Sequence, residues 1–155
     1  MSLKVGDKAP DFTSKTHLMQ DFTLSNLFGK ENIVLLFFPL VNTGTCFNEM
    51  CTLRDSMHDY EKLNAKVIAI SVDSPFAQKL WAEKEKFNFT FVTDFNKEIS
   101  KKYGCLYDSL VGLNGVSKRS AFVIDKEGTL RYLWVSEDAG VLPDFNAIKE
   151  VLSKL

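Results

Sequence analysis

Apolar and polar positions along the chain switch repeatedly between a strand-like and a helix-like period. Ile33–Phe38 is an unbroken apolar run, rich in strand formers, and reads as a strand buried on both faces. Directly after it, Phe47, Met50, Leu53, Met57, Tyr60 and Leu63 recur every three or four residues, which predicts a helix over Thr45–Asn64. Val67–Val72 is a second buried strand. Ser74-Pro75 supplies an N-cap followed by proline at the first helical position, so a helix runs from there to about Phe87. Phe89–Val92 reads as a third strand, and Asn96 or Lys97 to Tyr103 as a short helix stopped by Gly104. Residues 105–118 read as a long loop. Ser120–Ile124 and Leu130–Val135 are two strands joined by the turn residues Asp125-Lys126-Glu127-Gly128. Pro143-Asp144 opens a last helix with Phe145, Ile148, Val151 and Leu152 on one face. At the N-terminus, Phe12–Thr16 and Asp21–Leu24 read as a hairpin of short strands, and Ser25–Phe28 as a single turn.

Strands alternating with helices predict an α/β fold: a central mixed β-sheet with helices on both faces, an N-terminal hairpin extension, and an antiparallel edge contributed by the C-terminal hairpin. No repeat, linker or low-complexity tract divides the 155 residues, so residues 1–155 are expected to form one domain.

Composition mainly excludes. A net charge of −1 gives no basic footprint for nucleic acid and no polybasic patch for anionic lipid. No apolar run approaches the roughly 20 residues of a membrane span, and the N-terminus lacks a signal core. The expected location is cytoplasmic. Three cysteines in a reducing compartment are catalytic, redox-sensing or simply buried, rather than a disulfide framework. Thirteen phenylalanines predict a core rich in flat rings and lean toward a homodimer, with a monomer left open.

The chemistry lies between the first central strand and the helix that follows, in Pro39-Leu40-Val41-Asn42-Thr43-Gly44-Thr45-Cys46. Pro39 and Gly44 break regular structure, and Thr43 and Thr45 can cap a helix. Cys46 therefore falls in a first helical turn, where unpaired N–H groups and the positive end of the helix dipole favour the thiolate, the nucleophilic form. The competing reading is a buried cysteine acting as a small hydrophobe.

The spacing Pro39-x-x-x-Thr43-x-x-Cys46 resembles the active-site signature of the peroxiredoxins, thiol peroxidases with a thioredoxin-like fold. Val5–Phe12, Asp94 at the end of a strand, and Arg119 within Lys118–Asp125 extend the resemblance over most of the chain. The most similar subgroups are the bacterioferritin-comigratory type and its one-cysteine relatives. The resemblance implies that Cys46 attacks hydrogen peroxide or an alkyl hydroperoxide and becomes a sulfenic acid, with no cofactor, and that a thioredoxin-like dithiol protein restores it. Pro39 would shape the loop and shield Cys46, and the Thr43 hydroxyl would hold a substrate oxygen. Arg119, which alone reads as a solvated rim residue, would stabilise the leaving oxygen's charge. Glu49 resembles a glutamate that orients the arginine; otherwise it is a carboxylate favoured near a helix N-terminus.

By the same resemblance Cys51 is the candidate resolving cysteine. Five helical residues turn the two side chains about 140° apart and separate them by about 7.5 Å in rise, whereas a disulfide needs Cα atoms within about 7 Å. A Cys46–Cys51 bridge therefore requires the first turns of the helix to unwind; otherwise the mechanism uses one cysteine. Cys105 reads as buried, or as an alternative resolver. Asn42, Phe47 and Asn48 depart from the residues common in related sequences and bear on pocket polarity. The alternatives are a thioredoxin-like thiol–disulfide oxidoreductase, weakened by the lack of Cys-x-x-Cys, and a redox sensor or metal module. The distant His17 and His58 weaken the metal reading.

Overall fold

The computed structural model of the protein describes residues 2–155. In chain order its elements are β1 (Thr13–Lys15), β2 (Asp21–Thr23), a 3-10 turn (Leu24–Leu27), β3 (Asn32–Phe37), α1 (Gly44–Lys62), β4 (Ala65–Ser71), α2 (Pro75–Glu85) and β5 (Thr90–Thr93). Then follow α3 (Glu98–Lys102), β6 (Ser109–Leu110), β7 (Leu113–Asn114), β8 (Ser120–Ile124), β9 (Leu130–Val135) and α4 (Phe145–Ser153).

The central sheet has the order β5-β4-β3-β8-β9. β3 runs parallel to β4, and β4 to β5, while β8 is antiparallel to both β3 and β9. The mixed sheet is thus as expected, but the C-terminal hairpin does more than supply an edge. Its first strand, β8, is buried throughout and lies beside β3 in the middle of the sheet; only β9 is at the border. Residue pattern alone could tell that both strands exist, but not which one the chain tucks inward.

β3 alternates its side chains between two cores, as a pleated strand must. Val34, Leu36 and Phe38 pack with Met50 and Leu53 of α1, Trp81 of α2, and Ile148 and Leu152 of α4. Ile33, Leu35 and Phe37 pack with Phe12, Phe22 and Leu24 of the N-terminal segment and with Ile99 and Tyr103 near α3. Three helices cover one face; the hairpin, the 3-10 turn and one short helix cover the other.

Helix ends follow local chemistry. The Ser74 hydroxyl accepts the Ala77 N–H at 3.2 Å, with Pro75 at the first helical position. Lys86 adopts a left-handed conformation and ends α2 just before the expected Phe87. The two carboxylate oxygens of buried Asp94 accept N–H groups of Ile99 at 2.9 Å and Ser100 at 2.7 Å, so α3 is capped from the end of β5. The expected loop over 105–118 is corrected. It contains the hairpin β6–β7, closed by the two-residue turn Val111-Gly112, and a further bridge between Leu106 and Ser117. Strands of two residues give no periodic signal, and Val-Gly is not a turn pair that sequence rules favour.

Candidate active site

The register of the sheet brings the site together. Phe37, the last residue of β3, lies opposite Ser120, the first of β8. The chain leaving β3 toward α1 therefore emerges beside residue 119, although the two segments are more than seventy positions apart. The Ser136 N–H donates to the Arg119 carbonyl at 2.9 Å and fixes that backbone against the end of β9.

The connection from β3 to α1 is a tight loop. Asn42 has φ of 61°, the left-handed region that asparagine tolerates better than most residues. The Val41 N–H donates to Asp73 Oδ2 at 2.9 Å, tying the loop to the end of β4. Thr43 is the N-cap residue by backbone conformation, yet its side chain does not cap the helix. Its hydroxyl donates to the Leu40 carbonyl at 3.0 Å, which leaves the oxygen lone pairs as acceptors toward the cleft. The backbone ladder of α1 begins with the Phe47 N–H donating to the Thr43 carbonyl at 2.7 Å. The amides of Gly44, Thr45 and Cys46 precede it, in the first turn, where a helix leaves N–H groups without internal acceptors.

Cys46 is the third helical residue and only 1% exposed. Arg119 Nη2 donates to its Sγ at 3.2 Å. Arg119 is itself 1% exposed and is pinned on its other sides. Nη1 donates to Glu49 Oε1 at 2.6 Å, and Nε and Nη2 donate to the Ala139 carbonyl at 3.1 and 2.9 Å. Burial works against the guanidinium's charge, but the adjacent Glu49 and Cys46 outweigh it and hold Arg119 above an ordinary arginine. Glu49 is fully buried one turn along α1. Burial pushes its carboxyl up to about 7 against the pull of Arg119, and Oε2 has no partner among the described residues.

A cleft of about 360 Å³ opens onto this cluster, and its lining includes Pro39, Cys46 and Arg119, all buried, and the exposed Thr43. Thus Pro39, Thr43, Cys46, Glu49 and Arg119 converge on one place. Cys51 does not join them. It lies further along the intact α1, half-buried against the core beneath α1, α2 and α4, and burial raises its thiol pKa. Cys105 lies fully buried in the other core. All three thiols are unpaired. Among the described residues, no group of three His, Cys, Asp or Glu side chains is placed to hold a metal ion, and no helix is long and apolar enough to cross a membrane.

The AhpC/TSA family pattern matches residues 5–133. The chain belongs to this family, the peroxiredoxins. It is a thiol-dependent peroxidase by class. It is 36% identical to alkyl hydroperoxide reductase E of Mycobacterium tuberculosis over 132 residues, 84% of each chain. Among solved structures it is similar to a peroxiredoxin-like protein from Aquifex aeolicus, with a TM-score of 0.89 and 28% identity over 99% of this chain and 88% of that one. Peroxidoxin BcpB from Mycobacterium tuberculosis gives a TM-score of 0.87 and 25% identity over 99% and 98% of the two chains.

Leu110, Val111, Ala139 and Gly140 of this peroxiredoxin's cleft escaped the sequence reading. Ala139 acts through a backbone carbonyl, which carries no residue-specific signal. Leu110 and Val111 line the cleft from the tip of the unpredicted hairpin; the one available hint was Gly112, set between Leu110-Val111 and Leu113.

Proposed function

We propose that Cys46 is the peroxidatic nucleophile of this enzyme, acting on hydrogen peroxide or an alkyl hydroperoxide. The observation that carries the reading is the 3.2 Å contact between Arg119 Nη2 and Cys46 Sγ at the base of an open cleft. A guanidinium within hydrogen-bond reach of that sulfur is pre-placed for the negative charge that develops on oxygen during attack.

The thiolate sulfur attacks the terminal peroxide oxygen. The S–O bond forms as the O–O bond breaks, and the departing alkoxide or hydroxide takes up a proton to leave as alcohol or water. Sulfur is oxidised to the sulfenic acid and the peroxide is reduced. The first-turn amides and Arg119 stabilise the oxygens, while Thr43 Oγ1, its own O–H engaged with the Leu40 carbonyl, accepts a hydrogen bond from the hydroperoxide O–H. Pro39 lines the cleft without adding a donor. Glu49 holds Arg119 in place.

The sulfenic acid then condenses with the Cys51 thiol, forming S–S and releasing water. An external dithiol protein of thioredoxin type reduces that disulfide by two successive thiol exchanges. The first turns of α1 must open for this step, because an intact helix keeps the two sulfurs apart.

Hydrogen peroxide consumption with dithiothreitol tests the assignment. Cys46→Ser should lower the rate by about a thousandfold or more, the loss typical when a catalytic nucleophile is removed; equal rates sink the role. Intact-mass analysis after one equivalent of peroxide should show a Cys46–Cys51 disulfide. A lone Cys46 sulfenate would instead establish the one-cysteine cycle.

A further inference from the structure

The hairpin β6–β7 carries a backbone feature that its own sequence does not favour. Its two-residue turn needs positive φ at both central positions, and Val111 has φ of 47° and Gly112 φ of 83°. Glycine accepts this freely, but a β-branched residue is a genuine outlier there. Asparagine, aspartate or glycine would close the turn without strain. Nor does packing compensate. Val111 is 87% exposed, the most exposed large apolar side chain among the described residues. The base of the hairpin is firmly tied, by contrast. Lys97 Nζ donates to the Asn114 carbonyl at 2.7 Å, the lysine stem lies across Gly115, and the Ser100 and Ser117 hydroxyls share a hydrogen bond of 2.7 Å beneath it.

This strained, exposed valine and the neighbouring Leu110 line the cleft that ends at Cys46 and Arg119. Pro39 and Leu40 line the same cleft. Cys46 and Arg119, each 1% exposed, form the buried part of that lining. The cleft volume of about 360 Å³ exceeds what two oxygen atoms need.

We propose that Val111 is a specificity-determining residue: held at the mouth by a rigid hairpin, it seats the organic group of an alkyl hydroperoxide and selects such substrates over hydrogen peroxide. This rests on the peroxidase reading of Cys46. Backbone strain at an exposed apolar residue persists where function maintains it, and here the strained residue faces the reacting sulfur's cleft. A bound alkyl or aryl group would cover the valine that the free protein leaves in water.

The test compares kcat/KM for cumene hydroperoxide with that for hydrogen peroxide in the wild type, Val111→Asn and Val111→Thr. Asparagine suits the turn, so Val111→Asn should fold and raise the thermal midpoint by about 2–4 °C. The ratio of the two kcat/KM values should nonetheless fall about tenfold, the discrimination that one or two methylene contacts give in an apolar site. Val111→Thr keeps the branched shape and the strain but adds a hydroxyl. It should lose selectivity with no gain in midpoint. Ratios within twofold of wild type in both variants overturn the proposal, and so does a drop in the ratio that Val111→Asn alone shows together with a lowered midpoint. A wild type that consumes neither peroxide overturns the reading of Cys46 itself, whereas a wild type that consumes both without preference overturns the role of Val111 alone.

Discussion

Two thiols of this protein are equally hidden and differently placed. Cys46 is 1% exposed and Cys105 0%. Around Cys46 stand a buried guanidinium, the open first turn of a 19-residue helix and a cleft. Cys105 belongs to the second core, with Leu35, Tyr103 and Phe122 among its members; the Ser100 and Ser120 hydroxyls are its polar company, and burial pushes its thiol up to about 12. Burial alone works against the thiolate; a fixed positive charge beside a buried sulfur works the other way, and it is this difference that the proposed role of Cys46 rests on. The distinction is one of neighbours, and each neighbour can be removed.

Removing the guanidinium should give the largest effect. Arg119→Met takes away the charge beside Cys46 while keeping much of the side chain's bulk. The expected loss in kcat/KM is about 10²–10³-fold, the scale of one preorganised donor to a developing oxyanion. Glu49 is left buried without its partner, so stability should fall as well, by about 3–5 kcal/mol. The double variant Glu49→Leu with Arg119→Met separates the two consequences, since replacing both halves of a buried pair by apolar groups is often neutral. It should recover most of the stability and none of the activity. Recovery of peroxide turnover in the double variant would mean that Arg119 serves the fold and not the chemistry.

Glu49→Gln probes the same contact from its far side. The carboxyl lies near 7 in the folded protein and near 4.3 in an unfolded chain, so the folded state binds its proton more tightly. Between those values the unfolded chain has released the proton and the folded one has not. Stability from this group is complete below about pH 4 and declines as pH rises through 7, by up to about 4 kcal/mol. Urea unfolding at pH 5 and pH 7.5 should show that decline in the wild type and a flatter dependence in Glu49→Gln. Parallel behaviour of the two proteins would remove Glu49 as the titrating group.

How much of this was visible in residues alone follows the same division between local and distant. The strand Ile33–Phe38, the helix start at Cys46 and the Ser74-Pro75 cap are local events, set by side-chain period and by donors a few positions away, and each could be read directly. Arg119 could not be placed by pattern. It reaches Cys46 because β8 pairs with β3 in the register Phe37 with Ser120, a choice made by the whole sheet; only the family resemblance anticipated it. The Ala139 carbonyl was invisible because any residue has one. The hairpin at Val111 was missed because its turn breaks the rule that would have revealed it: a valine at positive φ is a strained position, and local rules fail at such positions. Thr43 shows an intermediate case: its position at the helix start was legible, but the direction of its hydroxyl, to Leu40 rather than to the helix, was not.

The smallest expected effect belongs to the inert thiol, and it is the sharper half of the comparison for that reason. Cys105 makes no contact with Arg119 or the cleft, and its own backbone is held at both ends, the N–H by the Ser100 carbonyl at 2.9 Å and the carbonyl by the Lys118 N–H at 2.6 Å. Cys105→Ala deletes one buried sulfur from a packed core, which should cost about 1 kcal/mol and lower the thermal midpoint by about 2–4 °C. Peroxide turnover should stay within about twofold, because no group at Cys46 moves. The same burial makes Cys105 a reporter. In a Cys46→Ser, Cys51→Ser background, iodoacetamide can reach it only when the core around Tyr103 and Phe122 opens, so labelling should accelerate with urea in step with unfolding. Rapid labelling of Cys105 in native buffer, or a tenfold fall in turnover on its removal, would show that the second core communicates with the site, and the contrast between the two thiols would then be one of degree.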